Sequence, residues 1–152
     1  MVPPGRIEAI WIKRARRGPM DSVDRARLVS GEGIATDANF GRSRRQVTVI
    51  EHEVFERIRE DLPDADPSMR RANVMVRGVR LRGTRGRTLS LGGVRLWIRG
   101  ETRPCERMDL QCPGLTQALA TAWNGGVYAV VLDDGEIAVG DEAHLGPVIT
   151  PE

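Results

Sequence analysis

Cys105 closes the segment Gly100-Glu101-Thr102-Arg103-Pro104-Cys105, just after an apolar, strand-like run from Val94 to Ile98. Pro104 restricts the backbone ahead of the thiol, and Arg99 and Arg103 lie close by in sequence. A thiolate gains from nearby positive charge, and reactive cysteines occupy electropositive, partly open surroundings of this kind. Structural cysteines sit more often inside apolar runs, and Cys105 does not. The residues point to a chemically active thiol, weighed against a cysteine that lies near arginines without purpose.

Three polar clusters stand at the ends of apolar stretches. They are Gly33-Ile34-Ala35-Thr36-Asp37, Arg44-Arg45-Gln46 ahead of Val47, and Arg70-Arg71-Ala72-Asn73 ahead of Val74. Paired arginines can grip an anionic group with planar, forked donors. The plain alternative is that charges at strand ends are simply solvated. Asn73 heads an apolar run, where asparagine is a poor strand former. It either contacts a ligand or satisfies neighbouring backbone groups.

The second cysteine, Cys112, gives a spacing that is neither a disulfide framework nor a zinc knuckle. It reads as a resolving thiol or as a buried helix start before Pro113-Gly114. His52 and His144 lie far from both cysteines in sequence. Two cysteines in 152 residues point to a reducing compartment. The first residues carry no apolar signal region, and no stretch approaches the roughly 20 apolar residues of a membrane span. A cytoplasmic protein without a membrane partner is expected.

The length suits a single domain over residues 1–152, large enough to bury a core. Net charge is only +2, and of the 23 basic residues Lys13 is the single lysine. The bland reading of that skew is codon bias, and the functional one is that some arginines form planar forks for phosphate or carboxylate. Aromatic residues make up 4% of the chain, too few for a face of stacking platforms.

The elements that must position these residues are mostly short strands. Arg6 to Ile12 and Arg25 to Ser30 read as strands, with Lys13 to Ser22 as a turn or loop between them. Gly31-Glu32-Gly33 leads into a polar loop from Thr36 to Ser43. Gln46 to Ile50 is a β-branched strand. Glu51 to Leu62 switches to helical spacing, with Val54, Phe55, Ile58 and Leu62 on one face, and Pro63 ends it. Further strands are expected at Ala72–Val76, Val79–Leu81, Thr88–Leu91, Val94–Ile98, Val127–Leu132, Glu136–Val139 and Glu142–Val148. A helical region spans Leu115 to Trp123, and Asp133-Asp134-Gly135 reads as a hairpin turn. Many short strands with glycine-rich turns predict a mainly β fold with a few helices, a closed or nearly closed β-barrel.

In this order and spacing the clusters resemble the MOSC family, named for the C-terminal domain of molybdenum cofactor sulfurases. The resemblance covers nearly the whole chain. It rests on Gly33 to Asp37, Arg45 to Thr48, Arg71 to Asn73, Gly78-Val79, Thr102 to Cys105, Gly125 to Ala129 and Gly135 to Asp141. It implies a MOSC-type β-barrel and one functional cysteine, Cys105, which carries sulfur as a persulfide or ligates molybdenum held by a pterin. Arg45, Arg71 and Asn73 would contact the anionic side of that cofactor, with Arg103 beside the thiol. Asp37 would line the pocket rim or shape its loop. Thr36 stands where the family often has glycine, and threonine does not readily take φ > 0, so this loop is expected to differ in shape.

The resemblance implies a sulfur carrier or molybdenum-cofactor-binding module. A cysteine desulfurase would be the sulfur donor, and the cofactor or another molecule the acceptor. Related proteins that bind the cofactor reduce N-hydroxylated compounds, and such an activity here would need a separate electron-transfer partner. No pyridoxal phosphate is expected in this domain, which has no room for that cofactor's fold. Two other readings compete: a non-catalytic barrel that binds anions or nucleic acid, and a thiol redox protein using Cys105 and Cys112. Low aromatic content and near-neutral charge argue against nucleic acid.

Overall fold

The computed structural model describes residues 4–16, 18–103 and 108–151. In chain order these form β1 (Gly5–Lys13), β2 (Met20–Val23), β3 (Arg25–Val29), β4 (Gly33–Ile34), β5 (Val47–Glu51), helix α1 (His52–Asp61) and a 3₁₀ turn (Pro67–Arg70). There follow β6 (Val74–Arg77), β7 (Arg87–Leu91), β8 (Val94–Glu101), α2 (Met108–Gln111), α3 (Leu115–Ala120), β9 (Val127–Val131), β10 (Gly135–Ala138) and β11 (Glu142–Val148).

Strands β11, β7, β8, β9, β5, β6 and β1 neighbour one another in that order. The sheet closes where β1 pairs back onto β11 through Gly5–Ala143 and Arg6–Glu142. Closure leaves none of these seven strands as a free edge across the barrel. The pair β5–β6 is parallel, and its crossover carries α1 and the 3₁₀ turn. Strand β2 extends the sheet beyond β1, and β10, β3 and β4 form a small second sheet.

Strand alternation sorts side chains to the two faces. Along β8, Val94, Leu96, Ile98 and Gly100 point inward while Arg95, Trp97, Arg99 and Glu101 face out. The inner faces of the strands fill the barrel with a cluster that includes Ile10, Leu28, Leu89, Leu96 and Val127. In β1 the register shifts between Ile7 and Ala9. This bulge lets Ile7 and Ile10, three residues apart, both enter that core. Trp11 then faces outward, into a second cluster with Val54, Phe55 and Ile58 of α1 and with Met75, Cys112 and Leu119. The helices therefore pack on the outside of the barrel.

The barrel matches the expected fold, with four local differences. Met20–Val23 is a strand, paired with the end of β1, where a loop is expected. Lys13 thus ends a strand rather than lying in a loop. Val79–Leu81 is irregular: Val79 and Leu81 are buried, but the segment joins no ladder. Asp133-Asp134-Gly135 does not make a β9–β10 hairpin, because β10 pairs with β3. The two aspartates instead accept bonds from other strands, Asp133 from the Arg95 N–H and Asp134 from the Ser30 N–H. The helical region near Leu115 ends early, at Ala120.

Candidate functional site

The polar site is built where β1, β5 and β6 meet the loop after β4. The Asp37 N–H donates to the Ile34 carbonyl at 3.1 Å, closing a four-residue turn. Thr36, its third residue, has φ of 71°. Turns with positive φ at that position normally hold glycine. Threonine nonetheless takes the left-handed conformation here.

Asp37 is buried, with 5% of its surface exposed. Its Oδ1 accepts from the Lys13 N–H at 2.8 Å and from Asn73 Nδ2 at 2.9 Å, and its Oδ2 accepts from the Asn39 N–H at 2.9 Å. Asn73 is buried further, at 2% exposure. Its Oδ1 accepts from the Thr48 N–H, and its Nδ2 also donates to the Trp11 carbonyl. One asparagine thus links β1, β5 and the Asp37 loop from just ahead of β6. That fits the reading in which Asn73 satisfies backbone groups, and it gives Asp37 the loop-shaping role.

Lys13, which the sequence reading leaves in a loop, stands beside this pair, and Arg70, named there only as half of the Arg70–Arg71 pair, is close enough to act on it. Burial pushes the Lys13 ammonium below its ordinary value. Asp37 opposes that shift, and Arg71, Arg42 and Arg70 add to it. Lysine on a strand end carries no sequence signal of this; only tertiary packing surrounds it with arginines. Arg70 is buried, and its Nε donates to the Gly125 carbonyl at 2.9 Å.

Arg71 follows the 3₁₀ turn, which Pro67 starts and the Asp66 side chain caps through the Ser68 N–H. Its φ of 61° places it in the left-handed region, where its N–H closes the turn on the Ser68 carbonyl. The side chain donates from Nη1 to the Gly18 carbonyl at 2.6 Å. Its Nη2 is buried without a hydrogen-bond partner. A buried donor left unsatisfied costs about 1–3 kcal/mol, and strained backbone of this kind concentrates at ligand sites. Arg71 and Lys13 together put positive charge beside the Asp37–Asn73 pair.

Among the described residues, the other expected ones make no hydrogen bond or ion pair with Lys13 or Arg71. Arg45 is exposed, with its guanidinium 5.0 Å from the centre of the Tyr128 ring on β9. Its neighbour Gln46 is buried and holds the preceding loop, donating to the Gly31 and Arg42 carbonyls and accepting from the Val131 N–H. Arg103 is exposed and makes no hydrogen bond or ion pair among the described residues. Thr102 is buried, its N–H bonded to the Gly126 carbonyl and its hydroxyl without a partner. A Cβ at Gly125 would collide with the Thr102 carbonyl, so only glycine allows this approach.

Cys105 lies outside the described residues. Cys112 is a free thiol buried in the apolar cluster with Met108 and Leu115, as expected of a packed helix start. Among the described residues no three His, Cys, Asp or Glu side chains converge as a metal site. No helix among them is long and apolar enough to cross a membrane.

The fold has solved counterparts. A crystal structure of the YuaD protein from Bacillus subtilis superposes with a TM-score of 0.75 at 23% identity, covering 94% of this chain and 96% of that one. YiiM from Escherichia coli gives a TM-score of 0.71 at 14% identity, over 96% of this chain and 72% of that one. YiiM from Geobacillus stearothermophilus gives 0.71 at 16% identity, over 93% and 75%. At these identities the likeness is one of fold. No protein of curated function matches the chain. The MOSC domain family matches residues 36–144, a span that runs from the Asp37 loop through Asn73 to the last strand, and the chain belongs to that family.

Proposed function

We propose that this protein carries sulfur on Cys105 or binds the molybdenum cofactor through it. Arg71 gives this reading its main support. A guanidinium with one nitrogen buried and unpartnered, in strained backbone beside Lys13, suits a phosphate or another anionic end of a ligand. The molybdenum cofactor, with which the family is associated, carries such a phosphate and presents a metal that thiolate ligands suit. Arg71 and Lys13 would hold the anionic end. Asp37 and Asn73, with their polar atoms already engaged, would keep Lys13 and the loop in place. Arg45 and Arg103, both exposed, would add positive charge to attract an anionic ligand. When bound, the cofactor would supply a redox-active metal for a thiolate to ligate.

In the carrier role, the Cys105 thiolate attacks the terminal sulfur of a donor persulfide. A sulfur–sulfur bond forms to Cys105 as the donor's sulfur–sulfur bond breaks, and the donor leaves as a thiolate. Positive charge near the nucleophile favours its ionised form.

The test is the intact mass of the protein after incubation with a cysteine desulfurase and cysteine, beside Cys105→Ala and Cys112→Ala. Gain of one sulfur that is lost only in Cys105→Ala is the expected result. No gain in the unaltered protein, together with no binding of added molybdenum cofactor, would overturn both forms of the proposal.

A further inference from the structure

A concave region lies between the first turn of α1, the segment after β6 and the turn before β9. It is a cleft of about 500 Å³ lined by Glu51, Glu53, Arg57, Arg80, Arg82 and Asn124, with Val54 and Val79 as apolar wall. That volume falls within the usual range of small-molecule sites, roughly 300–1,000 Å³. None of Asp37, Arg45, Arg71, Asn73 or Arg103 lines it.

Its charges are arranged in an unusual way. Glu51 and Glu53 turn inward, each accepting a backbone N–H of the 78–82 segment: Glu51 from Leu81 at 3.2 Å and Glu53 from Gly78 at 2.7 Å. Glu53 Oε1 is buried and has no partner. Burial raises the Glu51 carboxyl above its ordinary value, against the Leu81 N–H, and the nearby Glu53 raises it further. Arg57 and Arg80 lie close enough to act on Glu51 electrostatically. Even so, Arg57, Arg80 and Arg82 form no ion pair or hydrogen bond among the described residues. Both signs of charge therefore line one cleft without an ion pair between them. Its walls are set by backbone in the left-handed region at Gly78, with φ of 77°, and at Ala122, with φ of 52°.

We infer that this cleft binds a small amphoteric anion, a molecule with one ammonium and two carboxylates. The ammonium faces Glu51 and Glu53, and the carboxylates are gripped by the arginines. Three arginines against two glutamates leave one positive charge in excess, which matches the single net negative charge of such a ligand. A simple dianion would meet the two glutamates, and a simple amine the three arginines, so each is repelled by one half of the lining. An acidic amino acid and a short peptide with a free amino group and an acidic side chain share this chemistry. The inference does not depend on the role of Cys105.

The test is titration calorimetry with L-glutamate, the dipeptide Gly-Glu, glutarate and inorganic phosphate, with amide NMR shifts recorded at Gly78 and Leu81. Saturable binding of L-glutamate or Gly-Glu that shifts both amides is expected, with glutarate and phosphate weaker by about tenfold or more, the scale of one charge-assisted contact. The tighter of the two amino compounds tells free amino acid from peptide. In Glu53→Gln the preference for L-glutamate over glutarate should vanish. Arg80→Gln combined with Arg82→Gln should weaken the binding of both. Glutarate or phosphate binding as tightly as the amino compounds would overturn the inference. So would unmoved Gly78 and Leu81 amides at millimolar L-glutamate and Gly-Glu in the unaltered protein.

Discussion

Asn73 Nδ2 donates to Asp37 Oδ1 at 2.9 Å, joining two residues 36 positions apart inside the protein. The same asparagine bonds Thr48 on β5 and Trp11 on β1, so one side chain holds two strands and a loop together. Its removal leaves a backbone N–H, a carbonyl and a carboxylate oxygen each short of a partner in a buried place. Asn73→Ala should destabilise the fold by about 3 kcal/mol, from the cost of such orphaned groups. Urea unfolding measures this. Because the two residues share bonds, the Asn73→Ala and Asp37→Ala effects should fall short of additivity when combined. Strict additivity would show that the pair is not coupled.

Thr36 offers a test of strain. It is exposed, β-branched and held at φ of 71° in the turn that presents Asp37. A left-handed conformation is costly for such a residue, while glycine adopts it freely but gives the unfolded chain more entropy. The strain term should be the larger. Thr36→Gly is expected to stabilise the protein by about 0.5–1 kcal/mol, seen as a higher thermal midpoint. A fall in midpoint would mean that the hydroxyl or the methyl group makes a compensating contribution.

Lys13 should leave a signature in alkaline solution. Its folded-state pKa is lowered, first by burial and then by Arg71, Arg42 and Arg70, with Asp37 opposing. Below the lowered value the protonated lysine costs folding stability. Between that value and the ordinary 10.5 the unfolded chain binds more protons than the folded one. Stability contributed through this group therefore rises with pH across that window. Urea midpoints measured upward from pH 7 should show the rise in the unaltered protein and lack it in Lys13→Met. Parallel profiles would remove Lys13 as its source. If an anion binds beside Lys13 and Arg71, phosphate should reduce the slope, because a bound anion restores the lysine's proton.

What could be read in the linear sequence is what short-range physics governs. Alternating β-branched runs such as Val47–Ile50 and Val94–Ile98 announce strands, and the spacing of Val54, Phe55 and Ile58 announces the outer helix. Pro63 and the glycine-rich turns punctuate them. These signals, with the ordered clusters, were enough for the barrel and the family. Pairing is a different matter, because a turn-like sequence does not say which strand lies alongside. Asp133-Asp134-Gly135 looks like a hairpin, yet β10 joins β3 and the aspartates serve Arg95 and Ser30 instead. The site follows the same rule. Asn73 and Asp37 stood out by residue type, but whether their polar atoms face a ligand or backbone depends on three strands meeting at one point. Lys13 gave no signal and Arg70 only that of one arginine in a pair, since burial and neighbouring charge exist only once the chain has folded. The sequence by itself determined most of the element types, the barrel class and the residues capable of chemistry. Only the tertiary structure decided which of those residues are spent holding the fold and which keep an unpartnered charge, because long-range packing alone sets burial and hydrogen-bond partners.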